Sequence, residues 1–366
     1  HNASEYFWEI VTRQRSLALG GNSRREHFPT KETCIDYVND IDGPETCNTY
    51  NMLKLTEDLN RVNHQGMYGD FYETAIFNHI LSAQHPEHGG YVYFTSARPR
   101  HYRNYSAPNK AMWCCVGTGM EDHGKYGQFI WTHDKGMKTE DDALYVNLFV
   151  ASELNWKERK MVLRQQTAFP YAETSNIEVT KGKGVFTLKI RKPLWCDNFT
   201  VKGVGFVVDC YEENGFVCIK RKWKKGDQVE ISMPMHASIK PMINVPQYVA
   251  IMYGPILLGM KSGTEDMRSL IADDSRFGQY AAGMKLPLDK APILLPKHLN
   301  DIAKDLKPIP DKPLHFKLAT HMENVINGEL QPFFEIHDSR YMMYWLALGE
   351  NDYKAYMQKL ADEEKA

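Results

Sequence analysis

Near residue 142 the spacing of apolar residues changes from the three-to-four step of a helix to the alternation of a strand. That switch confines the chain to a helical region followed by a β region. Before it, Tyr6, Phe7, Ile10, Val11 and Leu17 recur with helical spacing, and Gly20-Gly21 closes the segment. A second helix is expected from Pro44, with Asp42 or Gly43 as cap and Met52, Leu53, Leu55 and Leu59 on its apolar face. A third is expected from about Gly69 to Ser82, with Phe71, Ala75, Ile76, His79 and Ile80 inward. A fourth follows Cys115 and carries Met120, Phe129, Ile130 and Trp131. Loops at 21–43 and 84–113 join them, long enough to hold a site.

After the switch, short alternating runs are expected as strands: 144–150, 161–166, 177–179, 185–190, 199–201, 216–219 and 229–233. Lys183-Gly184, Asn214-Gly215 and Lys225-Gly226-Asp227 are the turns between them. Such spacing suggests a β-sandwich. The stretch 263–315, rich in Pro, Asp and Lys, reads as irregular. A last strand is expected at 341–346, then a polar helix. The fold class is thus α+β and multidomain, with divisions at 1–138, 139–262 and 263–366.

Charge and composition exclude some functions. The net charge of -2 and the lack of a basic block give no footprint for nucleic acid. The longest apolar run, 249–260, is broken by Gly and Pro and is too short to span a membrane. Seven cysteines, two of them adjacent, do not make a disulfide framework. The sequons at Asn2, Asn104 and Asn198 matter only in a glycosylating host. The chain opens at His1, with neither initiator Met nor leader, so targeting cannot be read from it.

Two short motifs carry chemistry. Gly43-Pro-Glu-Thr-Cys47 puts Glu45 and Cys47 in the first turn of a helix, and Trp113-Cys-Cys-Val-Gly-Thr-Gly119 puts two thiols just before another. A helix N-terminus favours the thiolate. Three thiolates and a carboxylate would complete a tetrahedral zinc site. Spacing alone leaves the bland alternative open, that these are buried cysteines acting as small hydrophobes. Glu32-Thr-Cys34 repeats the Glu-Thr-Cys triplet in a polar loop, without the Gly-Pro lead-in or the apolar helix behind it. Cys47 is therefore preferred over Cys34 as ligand.

Gly20-Gly-Asn-Ser-Arg-Arg-Glu-His-Phe28, the segment from Gly43 to Thr56, Tyr72-Glu-Thr-Ala-Ile-Phe-Asn78 and the Trp113-Cys-Cys motif together resemble the zinc-dependent β-L-arabinofuranosidases of glycoside hydrolase families 127 and 146. Weaker matches at 249–255 and 334–341 resemble the family's β-domains. The resemblance implies an (α/α)6 barrel followed by β-sandwich domains. It implies zinc on Glu45, Cys47, Cys114 and Cys115, Cys114 as nucleophile, and Glu26 as general acid and then base. It places Glu73 and Tyr93 among sugar-contacting residues. The implied activity is retaining, exo-acting release of terminal β-L-arabinofuranose from plant-type glycans, so the implied partner is an arabinofuranosyl carbohydrate. A periplasmic or secreted location is implied over a cytoplasmic one.

Read without the resemblance, Glu26 is also explicable as a solvated loop charge, Glu73 as a paired helix-surface acid, Tyr93 as core, and Arg340 as one half of a structural ion pair. The helical region is shorter than a whole barrel, so the chain is expected to hold only its C-terminal part and to be weakly active or prone to aggregate. The competing class is a non-catalytic, zinc-containing carbohydrate-binding or structural protein, which would have no need of an acid opposite the thiolates. A redox pair at Cys114-Cys115 ranks lower, because no thioredoxin-like pattern accompanies it. Oligomeric state is left open.

Overall fold

The computed structural model describes residues 2–134, 141–275 and 277–363. The chain mixes helix and sheet and divides into two compact units. The first comprises residues 1–54, 74–122 and 237–366; the second comprises 55–73 and 123–236. These units cut the chain differently from the three consecutive stretches expected above. The boundary expected at 138 lies outside the described residues. The one expected at 262 falls inside a single sheet, because the strands 237–261 pair with strands beyond it.

The opening helix, in the first unit, is Asn2–Gln14, and it buries Trp8 and Val11; the helices that follow are shared between the two units. Of the apolar residues that recur with helical spacing there, Tyr6 is 67% and Phe7 42% exposed, so the buried face is the one that carries Trp8 and Val11. The helix expected from Pro44 runs Thr46–Val62. Its buried face includes Met52, Leu53 and Leu59, as the spacing predicts. The third expected helix is Gly66–Ala75, continued by a π-helical turn at Ile76–Ile80 and a 3-10 turn at Leu81–Ala83. The fourth splits. Cys114–Asp122 is one helix, Phe129 and Ile130 fall on the short helix Gly127–Ile130, and Trp131 opens a strand. Met120 points to solvent, 61% exposed.

Residues 237–347 contribute a ten-stranded sheet to the first unit, among the described residues. Its core joins Leu17, Leu19, Tyr37 and Val38 from early in the chain to Met242, Leu257, Tyr341 and Tyr344. Cys34 lies in the same core, 1% exposed, where burial pushes its thiol pKa up. The strand expected at 341–346 is two short ones, Tyr341–Met342 and Trp345–Ala347. Among the described residues, Arg340 does not serve as the half of an ion pair expected of it. It is fully buried and donates to the carbonyls of Glu265, Arg100, Asp266 and Met284, tying these residues to the sheet.

The second unit holds two five-stranded sheets among the described residues. One contains Lys183–Arg191 and Phe216–Lys224; the other contains Met161–Thr167, Thr174–Lys181 and Gln228–Ser232. Trp156 from one sheet meets Phe186 from the other, with ring centroids 5.3 Å apart. Asn214 and Gly215, with φ of 52° and 82°, make the tight turn expected from their dipeptide. The Lys183-Gly184 pair lies within a strand instead, and Gly182 at φ 88° does the turning.

Candidate thiolate and carboxylate site

The chain reaches the site by two short approaches. Pro44 and Glu45 are extended and pair with 93–95: Thr95 N donates to the Pro44 carbonyl at 3.0 Å and Thr46 N to the Tyr93 carbonyl at 3.1 Å. Glu45 therefore sits one residue ahead of the helix rather than within its first turn. The strands come so close at Gly43 that a Cβ there would lie 1.8 Å from the Thr95 carbonyl oxygen, which only glycine avoids. The second approach is the N-terminus of Cys114–Asp122. Gly119 on this helix is packed against the Tyr91 ring, which a Cβ would meet at 2.3 Å.

These approaches bring Glu45, Cys47, Cys114 and Cys115 together, with their potential ligand atoms all within 4.8 Å of one another. The sulfurs of Cys47 and Cys115 are 3.2 Å apart, and Glu45 Oε1 lies 3.8 Å from Cys115 Sγ and 3.9 Å from Cys114 Sγ. Tetrahedral zinc with ordinary bond lengths separates its sulfur ligands by about 3.7 Å. The cluster therefore fits a metal ion in spacing and in the softness of its donors. Thr118 adds a hydroxyl 2.8 Å from Cys47 Sγ. Sequence reading passed over this residue, although it stands one helical turn after Cys114.

The electrostatics show what the protein atoms alone can support. A hydrogen bond from Cys115, aided by Tyr93 and Cys47 and opposed by burial, holds the Cys114 thiol down at about 5. Burial pushes the Cys115 thiol up. Burial, then the Cys114 and Glu26 charges, push the Glu45 carboxyl up to about 7. Burial thus opposes charge on Cys115 and Glu45 where the four donors converge. A cation in their midst would reverse that and keep the sulfurs deprotonated.

Exposure separates the thiols. Cys115 is fully buried, whereas Cys114 is exposed and lines a cavity of about 610 Å³ together with Glu26 and Tyr93. Tyr93 connects the two candidate catalytic groups. Its hydroxyl donates to Glu26 Oε1 and lies 3.4 Å from Cys114 Sγ. Burial raises its phenol pKa, so the hydroxyl keeps its proton.

Glu26 is held on a hairpin turn. Arg24 and His27 exchange both backbone hydrogen bonds, and Arg25 and Glu26 have φ of 51° and 63°. Two consecutive side chains in the left-handed region cost free energy, about 1 kcal/mol or more each, and such strain concentrates at functional sites. Ion pairs hold the turn: Arg24 with Asp36 and Asp40, and Arg25 with Asp42 at 2.7 Å.

Glu73 is not part of this group. It belongs to the second unit, 1% exposed, with Oε1 on Arg191 at 2.5 Å and Oε2 on the Trp195 indole at 2.8 Å. Both oxygens are committed, so its carboxylate is a paired acid, but a buried one rather than the helix-surface acid of the bland reading.

Comparison with known families bears on what such a site belongs to. Residues 1–128 match the catalytic domain of the GH127 β-L-arabinofuranosidases and residues 143–235 their middle domain, together more than half of the chain. The chain belongs to glycoside hydrolase family 127. Residues 238–347 match a domain of unknown function. No curated protein matches by sequence. Among solved structures, a GH127 β-arabinofuranosidase aligns with TM-score 0.67 and 18% identity over 93% of this chain and 55% of its own. A GH127 β-L-arabinofuranosidase from Geobacillus stearothermophilus T6 gives 0.67 and 18% over 93% and 56%. A third, a glycoside hydrolase, gives 0.65 and 17% over 93% and 61%. The chain thus spans little more than half the length of these family 127 and related structures, and at this identity they share its fold.

Proposed function

We propose that this family 127 chain carries the catalytic centre of a retaining, exo-acting glycosidase that releases terminal β-L-arabinofuranose from plant-type glycans. The observation that carries the reading is the pairing of a four-donor thiol and carboxylate cluster with an acid, Glu26, joined to its one exposed thiol through Tyr93. Glu45, Cys47, Cys114 and Cys115 would hold zinc, which when bound keeps sulfur deprotonated at neutral pH.

In this reading Cys114 attacks the anomeric carbon while Glu26 gives its proton to the departing glycosidic oxygen. The product is a thioglycosyl intermediate on Cys114 and a free leaving group. Glu26, now a carboxylate, takes a proton from water, which displaces the sulfur and leaves the anomeric configuration unchanged after two inversions. Tyr93 orients Glu26 and keeps it beside the sulfur. The helices Thr46–Val62, Gly66–Ala75 and Cys114–Asp122 are assigned to an (α/α)6 barrel, and the two five-stranded sheets to a β-sandwich. Both assignments are supported by the family 127 domain matches. A polymeric glycan substrate supports a periplasmic or secreted location.

The test is elemental analysis and hydrolysis of an aryl β-L-arabinofuranoside by the wild-type chain, Cys114→Ser and Glu26→Gln. About one zinc per chain is expected, with turnover lost by roughly a thousandfold in both variants. Zinc should be retained in Glu26→Gln and depleted in Cys114→Ser. Well-folded protein without zinc or turnover would remove the catalytic reading.

A further inference from the structure

We propose that Asp274, Ser275, Phe277 and Tyr280 form the leaving-group side of the Cys114 cavity and select glycosides whose leaving group presents a flat ring. The inference rests on the functional reading above and names the part of the substrate it leaves undefined. These residues lie far outside the 1–128 catalytic-domain match, yet they line the same cavity as Cys114, Glu26 and Tyr93.

Three apolar side chains at that cavity are exposed: Phe277 at 76%, Met112 at 88% and Tyr280 at 36%. A single exposed apolar residue needs no explanation, but three around one nucleophile mark a binding surface. Tyr280 is set by packing on Phe94, ring centroids 5.2 Å apart and planes at 32°, and Phe94 in turn packs on Tyr93 at 4.5 Å.

The backbone at Ala272, Ser275 and Gly278 is also held by hydrogen bonds before any ligand arrives. Ala272 N donates to the Tyr105 carbonyl at 2.8 Å, Asn104 Nδ2 to the Gly278 carbonyl at 2.6 Å, and the Trp113 indole to the Ser275 carbonyl at 3.4 Å. Trp113 directly precedes Cys114, so Ser275 and the nucleophile share an anchor. A preset apolar surface binds at lower ordering cost than a loop that must fold around its ligand.

The chemistry assigns this surface to the leaving group. A terminal sugar must seat its anomeric carbon against Cys114, and the acid Glu26 must meet the oxygen that departs. What lies beyond that oxygen must occupy the open, solvent-facing part of the cavity, where Phe277, Met112 and Tyr280 are exposed. The C–H face of a sugar ring and the face of an aryl ring both stack on aromatic side chains. A methyl group offers neither.

Calorimetry on the zinc-loaded chain tests this with three uncleavable thioglycosides of β-L-arabinofuranose, having methyl, phenyl and arabinosyl as the aglycone. Both ring compounds are expected to bind about tenfold tighter than the methyl compound. Phe277→Ala should remove most of that preference, Phe277→Tyr should keep it, and Val207→Ala, exposed and in the second unit, should change nothing. Preference for phenyl alone would narrow the ligand to aryl aglycones, and preference for arabinosyl alone to sugars. Equal binding of all three, or a preference that survives Phe277→Ala combined with Tyr280→Leu, overturns the inference alone. Failure of all three to bind overturns the functional reading and the inference with it.

Discussion

The Glu45, Cys47, Cys114 and Cys115 group of the first unit and the Asp70, Glu73 and Arg191 group of the second both bring ionisable side chains out of water, and they differ in where the compensating charge comes from. In the second unit it comes from the chain. Arg191 is fully buried and donates to Asp70 at 2.6 Å, Glu73 at 2.5 Å and the Asn147 carbonyl at 2.6 Å. Even so, burial, with Glu73 adding to it against Arg191, pushes the Asp70 carboxyl up to about 6. In the first unit, among the described residues, no side-chain cation pairs with the cluster, and the donors contact one another instead. A buried group balanced internally serves the fold, whereas the thiol and carboxylate cluster has the make-up of a possible metal site.

The sharpest way to break this contrast is to remove the internal cation. Arg191→Met should cost about 3–5 kcal/mol, because two carboxylates are left buried without their partner. Denaturant melts would show it, while metal content stays unchanged. A variant as stable as wild type would mean that Asp70 and Glu73 are not held by Arg191 in solution. Supplying the external cation should act oppositely. Zinc at a hundredfold excess over its Kd should raise the unfolding free energy by about 2.7 kcal/mol. Cys115→Ser should lose this gain and Cys34→Ser should keep it, since Cys34 lies in the core. An equal response from both variants would erase the distinction between ligand and core cysteine.

Gly43→Ala sharpens the comparison at the backbone. The added methyl must push the Thr95 carbonyl away, at about 1–3 kcal/mol, and should weaken zinc binding by displacing Glu45. Titration with a competing chelator would read the second effect.

The smallest effect near neutrality comes from histidines of the first unit. Burial holds His79, His101 and His337 down at about 3 each. Below their unfolded value of about 6.5, the unfolded chain binds protons that the folded chain refuses. Their contribution is therefore full above that value and is lost progressively as pH falls toward 3. The Tm should decline between pH 7 and pH 5, and less so in His79→Gln. A flat Tm over that interval would contradict it.

Much of the site was legible in the sequence because it lies in two short motifs whose local structure is a helix start. Glycine, proline and the adjacent thiols are readable without tertiary contacts. Glu26 and Tyr93 were reachable only through the resemblance, since a positive-φ turn of Arg25-Glu26 carries no glycine signal. Phe277 and Tyr280 were not reachable. They lie in a stretch that reads as irregular, and their importance comes entirely from where distant backbone pairing puts them. Glu73 shows the converse, a motif residue whose neighbours Arg191 and Trp195 lie about 120 positions away.

By itself the sequence determined the switch from helix to strand, the inward face of Thr46–Val62, the Asn214-Gly215 turn and the donors available for a metal. Each depends on periodicity or on the conformational limits of a few adjacent residues. Tertiary structure alone decided that residues 237–347 build one sheet in the unit that holds the thiols, that Cys114 rather than Cys115 faces the cavity, and that Glu73 is spent on an ion pair. Those outcomes depend on which distant surfaces exclude water together, and no local pattern encodes that.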